Sequence, residues 1–160
     1  MARPSLYQRY IVPRMINCVC ASRQIADQRA VVVPQAEGVV LELGIGTGLN
    51  LAHYDRAKVD HVIGVDPGVE ICALGRRRFA AAPVPVEVVH ASGEDLPLAD
   101  GSVDTVVLTY TLCSIPDAAR AAAEMRRVLR SGGKLLVCEH GRARDERVMR
   151  WQDRINPLWR

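Results

Sequence analysis

The sequence predicts an α/β fold: a doubly wound, mostly parallel sheet with helices on both faces. Three observations predict it: five short β-branched runs, helical stretches of suitable length between them, and a glycine-rich turn straight after the first run. Strands that alternate with helices run parallel, because each crossover returns the chain to the same end of the sheet. The runs are GVVLEL (38–43), HVIGVD (61–66), VPVEVVH (84–90), VDTVVLTY (103–110) and KLLVCEH (134–140). GVEICALGRRRFAAA (68–82) reads as one helix, with Ile71, Cys72, Leu74 and Phe79 near one side. Arg76, Arg77 and Arg78 fall late in it, where the helix dipole favours cations. PDAARAAAEMRRVLR (116–130) opens on Pro116 and Asp117, both suited to a first turn, and should stop at Gly132 and Gly133. One domain results, with an N-terminal helical segment (1–37), a core (38–141) and a C-terminal helical tail (142–160).

Composition bounds the function classes. A chain of 160 residues builds one sizeable core, and 49% hydrophobic with 24% charged residues is a globular balance. No apolar run approaches the roughly 20 residues of a membrane helix. Arg9, Pro13 and Arg14 interrupt any signal-peptide core, so the N-terminus reads as mature protein. Cys18, Cys20, Cys72, Cys113 and Cys138 make an odd set without a CxxC pair, which predicts reduced thiols, a cytoplasmic location and no metal site. The formal charge is only +3 and aromatics are 4%. A nucleic-acid surface would show a basic stripe interleaved with aromatics, so no nucleic-acid partner is expected.

In such a sheet, ligands bind outside the carboxyl ends of the strands, where strand order reverses. Gly44–Gly48, Asp66, Ser92–Asp95, Thr109–Ser114 and Glu139–His140 all follow predicted strands and should line one rim. In VLELGIGTGLN (40–50), Gly44, Gly46 and Gly48 would let a ligand approach the main chain and meet its amide groups. By themselves they could also make a tight turn with nothing bound. The dinucleotide fingerprint competes, since Asp66 lies near the roughly 20-residue distance expected of a ribose-binding acid. Its third glycine, however, belongs where Leu49 stands, and here it comes one residue early at Gly48.

Glu42 tips the balance. A carboxylate near the end of a buried strand is costly unless it is hydrogen-bonded or paired. A ligand ammonium or a nearby amide network would account for it, whereas a pyrophosphate would be repelled. Glu42, the glycine turn and Asp66 together suit a ligand with a cationic amino-acid end and a ribose, and S-adenosylmethionine is such a ligand. Asp66 could also cap a helix beginning near Gly68. Asn50 could cap the next helix or contact the ligand's carboxylate.

VLELGIGTGLN, HVIGVDPG, GEDLPLADGSVDTVVLTYTLCSIPD and RRVLRSGGKLLVCEH resemble, in order and spacing, the successive motifs of class I S-adenosylmethionine-dependent methyltransferases of the type 11 group. GEDLPLADGS, LCS, RRVLR, EH and the later Trp151, Gln152, Pro157 and Trp159 are similar to the thiol S-methyltransferases and their bacterial relatives. The resemblance implies a Rossmann-like sheet and the cofactor S-adenosyl-L-methionine. It places Gly44, Gly46 and Gly48 under the methionine part, and gives Glu42 the ordering of the loop or, through water, of the amino group. Asp66 would take the ribose hydroxyls, for which a carboxylate is well shaped. Pro67 would lie beside the adenine, and Gly93, Glu94 and Asp95 at its edge, with Ser92 standing where many relatives carry an acid. Thr109 and Tyr110 would flank the sulfonium.

His140 is the best-placed candidate base, with Glu139 before it, although a strand-end histidine touching solvent explains it as well. Cys113 reads as a small core residue. Tyr7 and Tyr10 would lid the cofactor or pack a helix. The DPPY or NPPY tetrad of enzymes that methylate nucleic-acid amino groups is absent from LTYT (108–111), so the expected acceptor is a small molecule: a thiol, a lipid headgroup or another metabolite.

The family sheet has two further strands beside the fifth, and this sequence supplies none, as a truncated chain or a natural short form would. The fifth strand then becomes an open edge. Trp151 and Trp159 lie near it, which predicts a homodimer through the C-terminal edge or an acceptor pocket left incomplete. Two other readings remain: a non-catalytic binder of the cofactor or its demethylated product, and a nicotinamide-dependent oxidoreductase, which Leu49 and Glu42 disfavour.

Overall fold

A computed structural model of the chain describes residues 11–141 and 145–155. Tyr7, Tyr10, Pro157 and Trp159 lie outside the described residues. Helices α1 (Val12–Cys20) and α2 (Arg23–Val32) and a 3-10 turn (Val33–Gln35) lead into β1 (Gly38–Leu43). There follow β2 (Val59–Val65), α3 (Val69–Leu74), α4 (Arg76–Ala80), β3 (Val86–Val89), β4 (Val103–Thr109), α5 (Ala118–Val128), β5 (Leu129–Cys138) and α6 (Glu146–Ile155). The sheet order is β3-β2-β1-β4-β5 and every pairing is parallel. The chain moves outward from β1 through β2 to β3, then crosses back to lay β4 on the other side. Strand order therefore reverses between β1 and β4, whose ends carry the glycine turn and Thr109–Tyr110.

Alternation along β1 divides the core. Leu41 and Leu43 face a layer with Val106, Leu108, Met125 and Val128, under α5. Val40 faces the opposite layer with Val33, Leu51, Tyr54, Val62 and Val107. The inner strands β1 and β4, covered on both faces, bury most of their residues, which is why their runs read as near-continuous apolar stretches.

Several boundaries differ from the sequence expectation. The helix expected over 68–82 is two helices that meet at Gly75. There the helix passes so close to the glycine turn that a Cβ on Gly75 would stand 2.7 Å from the Thr47 carbonyl oxygen. Leu74 consequently faces solvent, while Cys72 is buried and Ile71 and Phe79 pack partly beneath. Strand β2 starts two residues early, and β3 is shorter than 84–90. Gly132 and Gly133 do not end α5, which stops at Val128. They sit within β5, where pairing jumps from Val103–Leu129 to Thr105–Lys134, and Gly132 takes a φ of +78° in the resulting bulge. Cys113 is exposed, not a core residue, because it lies in the 3-10 turn beyond β4.

Side chains fix the loops. The Asp117 carboxylate accepts from the Arg120 amide at 3.0 Å and caps α5. Arg127 donates to the Leu96 and Leu98 carbonyls at 2.9 and 2.7 Å and to Glu124 and Asp100, clamping the 96–100 loop against α5. The guanidinium holds the Glu124 carboxyl well below the usual carboxylate range. Among the described residues no helix is long and apolar enough to cross a membrane.

Candidate functional site

The three turn glycines all have positive φ, at +75°, +51° and +73° for Gly44, Gly46 and Gly48. Their surroundings differ. A Cβ on Gly48 would lie 2.7 Å from Leu51 and 2.8 Å from Phe79, and one on Gly44 would run into Thr111. Those two glycines face protein. Gly46 is less crowded: the nearest atoms to a Cβ there stand at ordinary contact distance, Ile71 Cδ1 at 3.8 Å and Asp66 Oδ2 at 3.9 Å.

Asp66, one residue past β2, bridges this turn to the next helix. Its Oδ2 accepts from the Gly46 amide at 3.0 Å and its Oδ1 from the Gly68 amide at 2.8 Å. The bond to Gly68 closes a local turn, while Gly68 itself holds the cap position of α3 without a side-chain cap bond. A carboxylate has about four lone-pair directions. Each oxygen thus keeps acceptor capacity toward a diol above Gly46. Burial raises the Asp66 pKa, against the lowering effect of the two amides and of His90. His90 Nδ1 lies 3.1 Å from the Asp66 carbonyl oxygen, which ties the end of β3 to the same rim.

Glu42 lies beneath the turn and is 2% exposed. Tyr54 Oη donates to its Oε2 at 2.7 Å, and Asn50 Nδ2 donates to its Oε1 at 3.0 Å. Asn50 Nδ2 also donates to Thr109 Oγ1 at 3.0 Å, joining β1, the glycine turn and β4. Burial pushes the Glu42 carboxyl up to about 7, with the two donors and the Arg29 charge pulling the other way. Of the two explanations that the sequence left open for Glu42, the amide network is therefore present. Asn50 makes no side-chain cap bond to the following 3-10 turn, because its amide is turned inward. Thr109 is buried with it.

The remaining candidates spread along the rim. Pro67 is exposed beside Asp66, and Gly93 is buried against Leu43. Glu94 turns toward α5, accepting from the Asp117 amide at 2.6 Å and from Ser92 Oγ at 3.1 Å, while Asp95 is exposed. Glu139 Oε1 accepts from the Thr111 and Leu112 amides at 2.7 and 3.1 Å, so this carboxylate orders the loop after β4. His140 is exposed and stacks on Tyr110 with ring centroids 6.4 Å apart.

Sequence reasoning missed four participants. Tyr54 completes the Glu42 network, twelve residues downstream in the sequence. Asn17, on α1, accepts from Thr47 Oγ1 at 2.7 Å, and Arg78 donates to the Thr47 carbonyl at 3.2 Å, so the turn is held from both sides. Arg29, on α2, is buried over Tyr110. No motif marks these positions. Only an acid in the buried strand hinted that donors for it would have to come from elsewhere.

A model of the methyltransferase domain family matches residues 41–137. The chain belongs to that family. The matched span of this methyltransferase domain runs from within β1 into β5 and includes the rim from the glycine turn through Ser114, ending just before Cys138. A demethylmenaquinone methyltransferase of Clavibacter sepedonicus is 36% identical over 116 residues, covering 72% of this chain and 46% of the relative. A human thiol S-methyltransferase, TMT1B, is 36% identical over 134 residues, covering 76% of this chain and 50% of the relative. The methyltransferase domain thus spans about half the length of the curated relatives it matches. Among solved structures, a SAM-dependent methyltransferase of Thermotoga maritima superposes with a TM-score of 0.66 at 26% identity, over 95% of this chain and 68% of that one.

Proposed function

We propose that this domain binds S-adenosyl-L-methionine and transfers its methyl group to a small-molecule acceptor. The observation that carries the reading is the Asp66 carboxylate, held by the Gly46 and Gly68 amides beside Gly46, the one turn glycine at which a Cβ would meet no atom closer than 3.8 Å. That is the shape and chemistry a ribose diol asks for, and Gly46 leaves room for the rest of the ligand to cross the turn. Asp66 would take the ribose, with Pro67, Gly93, Glu94 and Asp95 at the adenine end. Gly44, Gly46 and Gly48 would run under the amino-acid end. Glu42, Asn50 and Thr109 would hold that turn from below, and Glu42 would favour an ammonium group near it.

When bound, the cofactor supplies an electrophilic methyl group on sulfur. The chain's share is to bind it, keep water away and set the acceptor in line. Glu139 is engaged by two backbone amides and His140 is exposed, so neither is a buried base. This supports an acceptor that ionises readily, such as a thiol, whose free pKa is roughly 8.5. His140, at the open side of Tyr110, is the candidate to receive a proton if one must leave. Leu135 and Val137 on β5 and Trp151 on α6 are exposed, which supports a homodimer through this edge. The reduced thiols and the modest charge fit a cytoplasmic enzyme without a nucleic-acid partner.

The test is calorimetric titration with S-adenosylmethionine, S-adenosylhomocysteine, NAD and NADP, followed by labelled-methyl transfer to thiols, quinols, amines and phosphatidylethanolamine. Binding of the two sulfur nucleosides, weakened about tenfold to a hundredfold by Asp66→Ala, is expected, since hydrogen bonds to a charged group contribute about 1.5–3 kcal/mol. A response to NAD alone overturns the reading. Tight nucleoside binding with no transfer to any acceptor makes the domain a binder and not an enzyme.

A further inference from the structure

Nine large apolar side chains among the described residues are strongly exposed. Five of them, Ile11, Met15, Val19, Val69 and Leu74, belong to α1 with its cap and to α3, two helices that pack together. Apolar groups exposed singly are ordinary, whereas a cluster of them on one side of a molecule marks an interaction surface. On α1, Met15 and Val19 are 56% and 65% exposed. With Ile11 and Cys18, also exposed, they recur every three or four residues, which makes one outward stripe. A helix that serves only the core turns such a stripe inward. Here the polar Asn17 points inward instead, accepting from Thr47 Oγ1 at 2.7 Å and from Arg78 of α4 at 3.5 Å.

The charge around this face is largely of one sign. Residues 1–26 contain Arg3, Arg9, Arg14 and Arg23 and no acid, so they alone exceed the formal +3 of the whole chain. On α4, Arg76 and Arg77 are exposed, and the sole acid on α1, α3 and α4 is Glu70. A second copy docked here face to face would set arginines against arginines. An anionic surface complements them and also takes up the apolar stripe. At 9 residues α1 is about 13 Å long, far short of the roughly 30 Å of a bilayer core, so it can lie along a membrane but not cross it.

We propose that the face built by α1 and α3 docks on an anionic lipid bilayer, its apolar side chains entering the headgroup boundary and Arg14, Arg76 and Arg77 meeting lipid phosphates. Both helices are tied to the site described above. Asn17 fixes α1 to the glycine turn, and the Asp66 carboxylate accepts from the Gly68 amide at the start of α3. Docking would therefore set the glycine turn and Asp66 close to the lipid surface. The docking stands on the surface alone, and only the placing of a cofactor site beside the membrane rests on the function proposed above.

The experiment is co-sedimentation of the full chain with vesicles of phosphatidylcholine alone or mixed with phosphatidylglycerol. Binding to the mixed vesicles is expected at low salt, with little to the neutral ones and a steep loss as ionic strength rises toward about 1 M, where screening acts within about 3 Å. The double variant Met15→Gln, Val19→Gln should lower the partition coefficient about tenfold or more. Arg76→Gln with Arg77→Gln should lower it about fivefold for each arginine removed. Val31→Gln, which removes an equally exposed apolar group from α2, should change nothing. No binding to mixed vesicles overturns the proposal, as does equal binding to neutral ones or an equal loss in Val31→Gln. Sedimentation velocity supplies another opposing outcome: a dimer that Met15→Gln, Val19→Gln turns into a monomer, with vesicle binding intact, gives this face to a second copy. A short RNA bound as tightly as the mixed vesicles, with the same dependence on Met15 and Val19, also overturns it. Circular dichroism checks the fold of each variant, and Ile11→Gln carries the apolar arm should the double variant not fold. Titration with S-adenosylhomocysteine separates the two readings, since vesicle binding without nucleoside binding upholds the docking and overturns the site.

Discussion

Strand β1 presents two different surfaces to the two layers of the core. On one, Leu41 and Leu43 meet Val106, Leu108, Met125 and Val128 in an apolar cluster. On the other, between them in sequence, Glu42 is just as deeply buried, yet it meets Tyr54 and Asn50 and, through Asn50, Thr109. The apolar surface is all that a stable sheet requires. The polar one lowers stability relative to a well-packed apolar layer. Its presence directly beneath the glycine turn is therefore a cost tied to the site. The difference teaches where this domain holds its shape and where it gives up stability to hold a ligand.

The comparison can be broken most severely on the apolar side. Leu41→Ala should cost about 2–5 kcal/mol, as large-to-small changes in tight cores do, with nucleoside affinity of the folded fraction unchanged. Urea denaturation measures the first and calorimetry the second. A cost under about 1 kcal/mol would mean that the two surfaces are not distinct.

Next in size is the pH response of the polar side. Glu42 sits at about 7 in the folded protein against an ordinary 4.5. Between these values the folded protein keeps a proton that the unfolded chain releases, so stability falls as pH rises through that window and levels off above it. The loss is on the order of 3 kcal/mol. Asp66, also raised, adds in the same direction, and His53, lowered by burial, opposes it. Glu42→Gln should flatten the slope and leave the ligand-free protein more stable than the unaltered one at pH 8. Denaturation series at pH 5 and pH 8 with an unchanged slope would show that Glu42 is not the titrating group.

Smaller effects sharpen the division within the polar side. Tyr54→Phe removes one donor from Glu42 and should cost about 1–3 kcal/mol at pH 8 while pushing the window upward. If pH 5 and pH 8 show the same loss, the hydroxyl does not support the ionised form. Asp66→Asn should change stability least, by under about 1 kcal/mol, because an amide oxygen can still accept from one of the two backbone amides. Its effect belongs to nucleoside affinity. A large drop in melting temperature would recast Asp66 as a structural bridge first and a ligand group second.

Much of this was readable in advance. The β1 run matches GVVLEL residue for residue because a strand buried on both faces is apolar apart from a partnered group such as Glu42, and a glycine turn must end it. Asp66 and the turn come together because each follows a parallel strand adjacent in the sheet. What was not readable came from distant segments. The split of the expected 68–82 helix depends on how closely Gly75 passes Thr47, and the exposure of Cys113 on where the 3-10 turn faces. The inward rotation of Asn50 was hidden too, because either a cap or a ligand contact would have suited its position in the chain.

The chain's own order of residues determined the parallel sheet, the glycine turn and the acids within β1 and just after β2, since periodicity and turn chemistry act over a few neighbours. Only the folded arrangement decided who meets those acids. Tyr54 reaches Glu42 from beyond the turn, α1 reaches Thr47 through Asn17, and Arg29 is buried over Tyr110 from a helix that precedes the whole sheet. The reason is physical: local pattern sets what each segment becomes, whereas partners for a buried charge are chosen by three-dimensional packing between segments far apart in the chain.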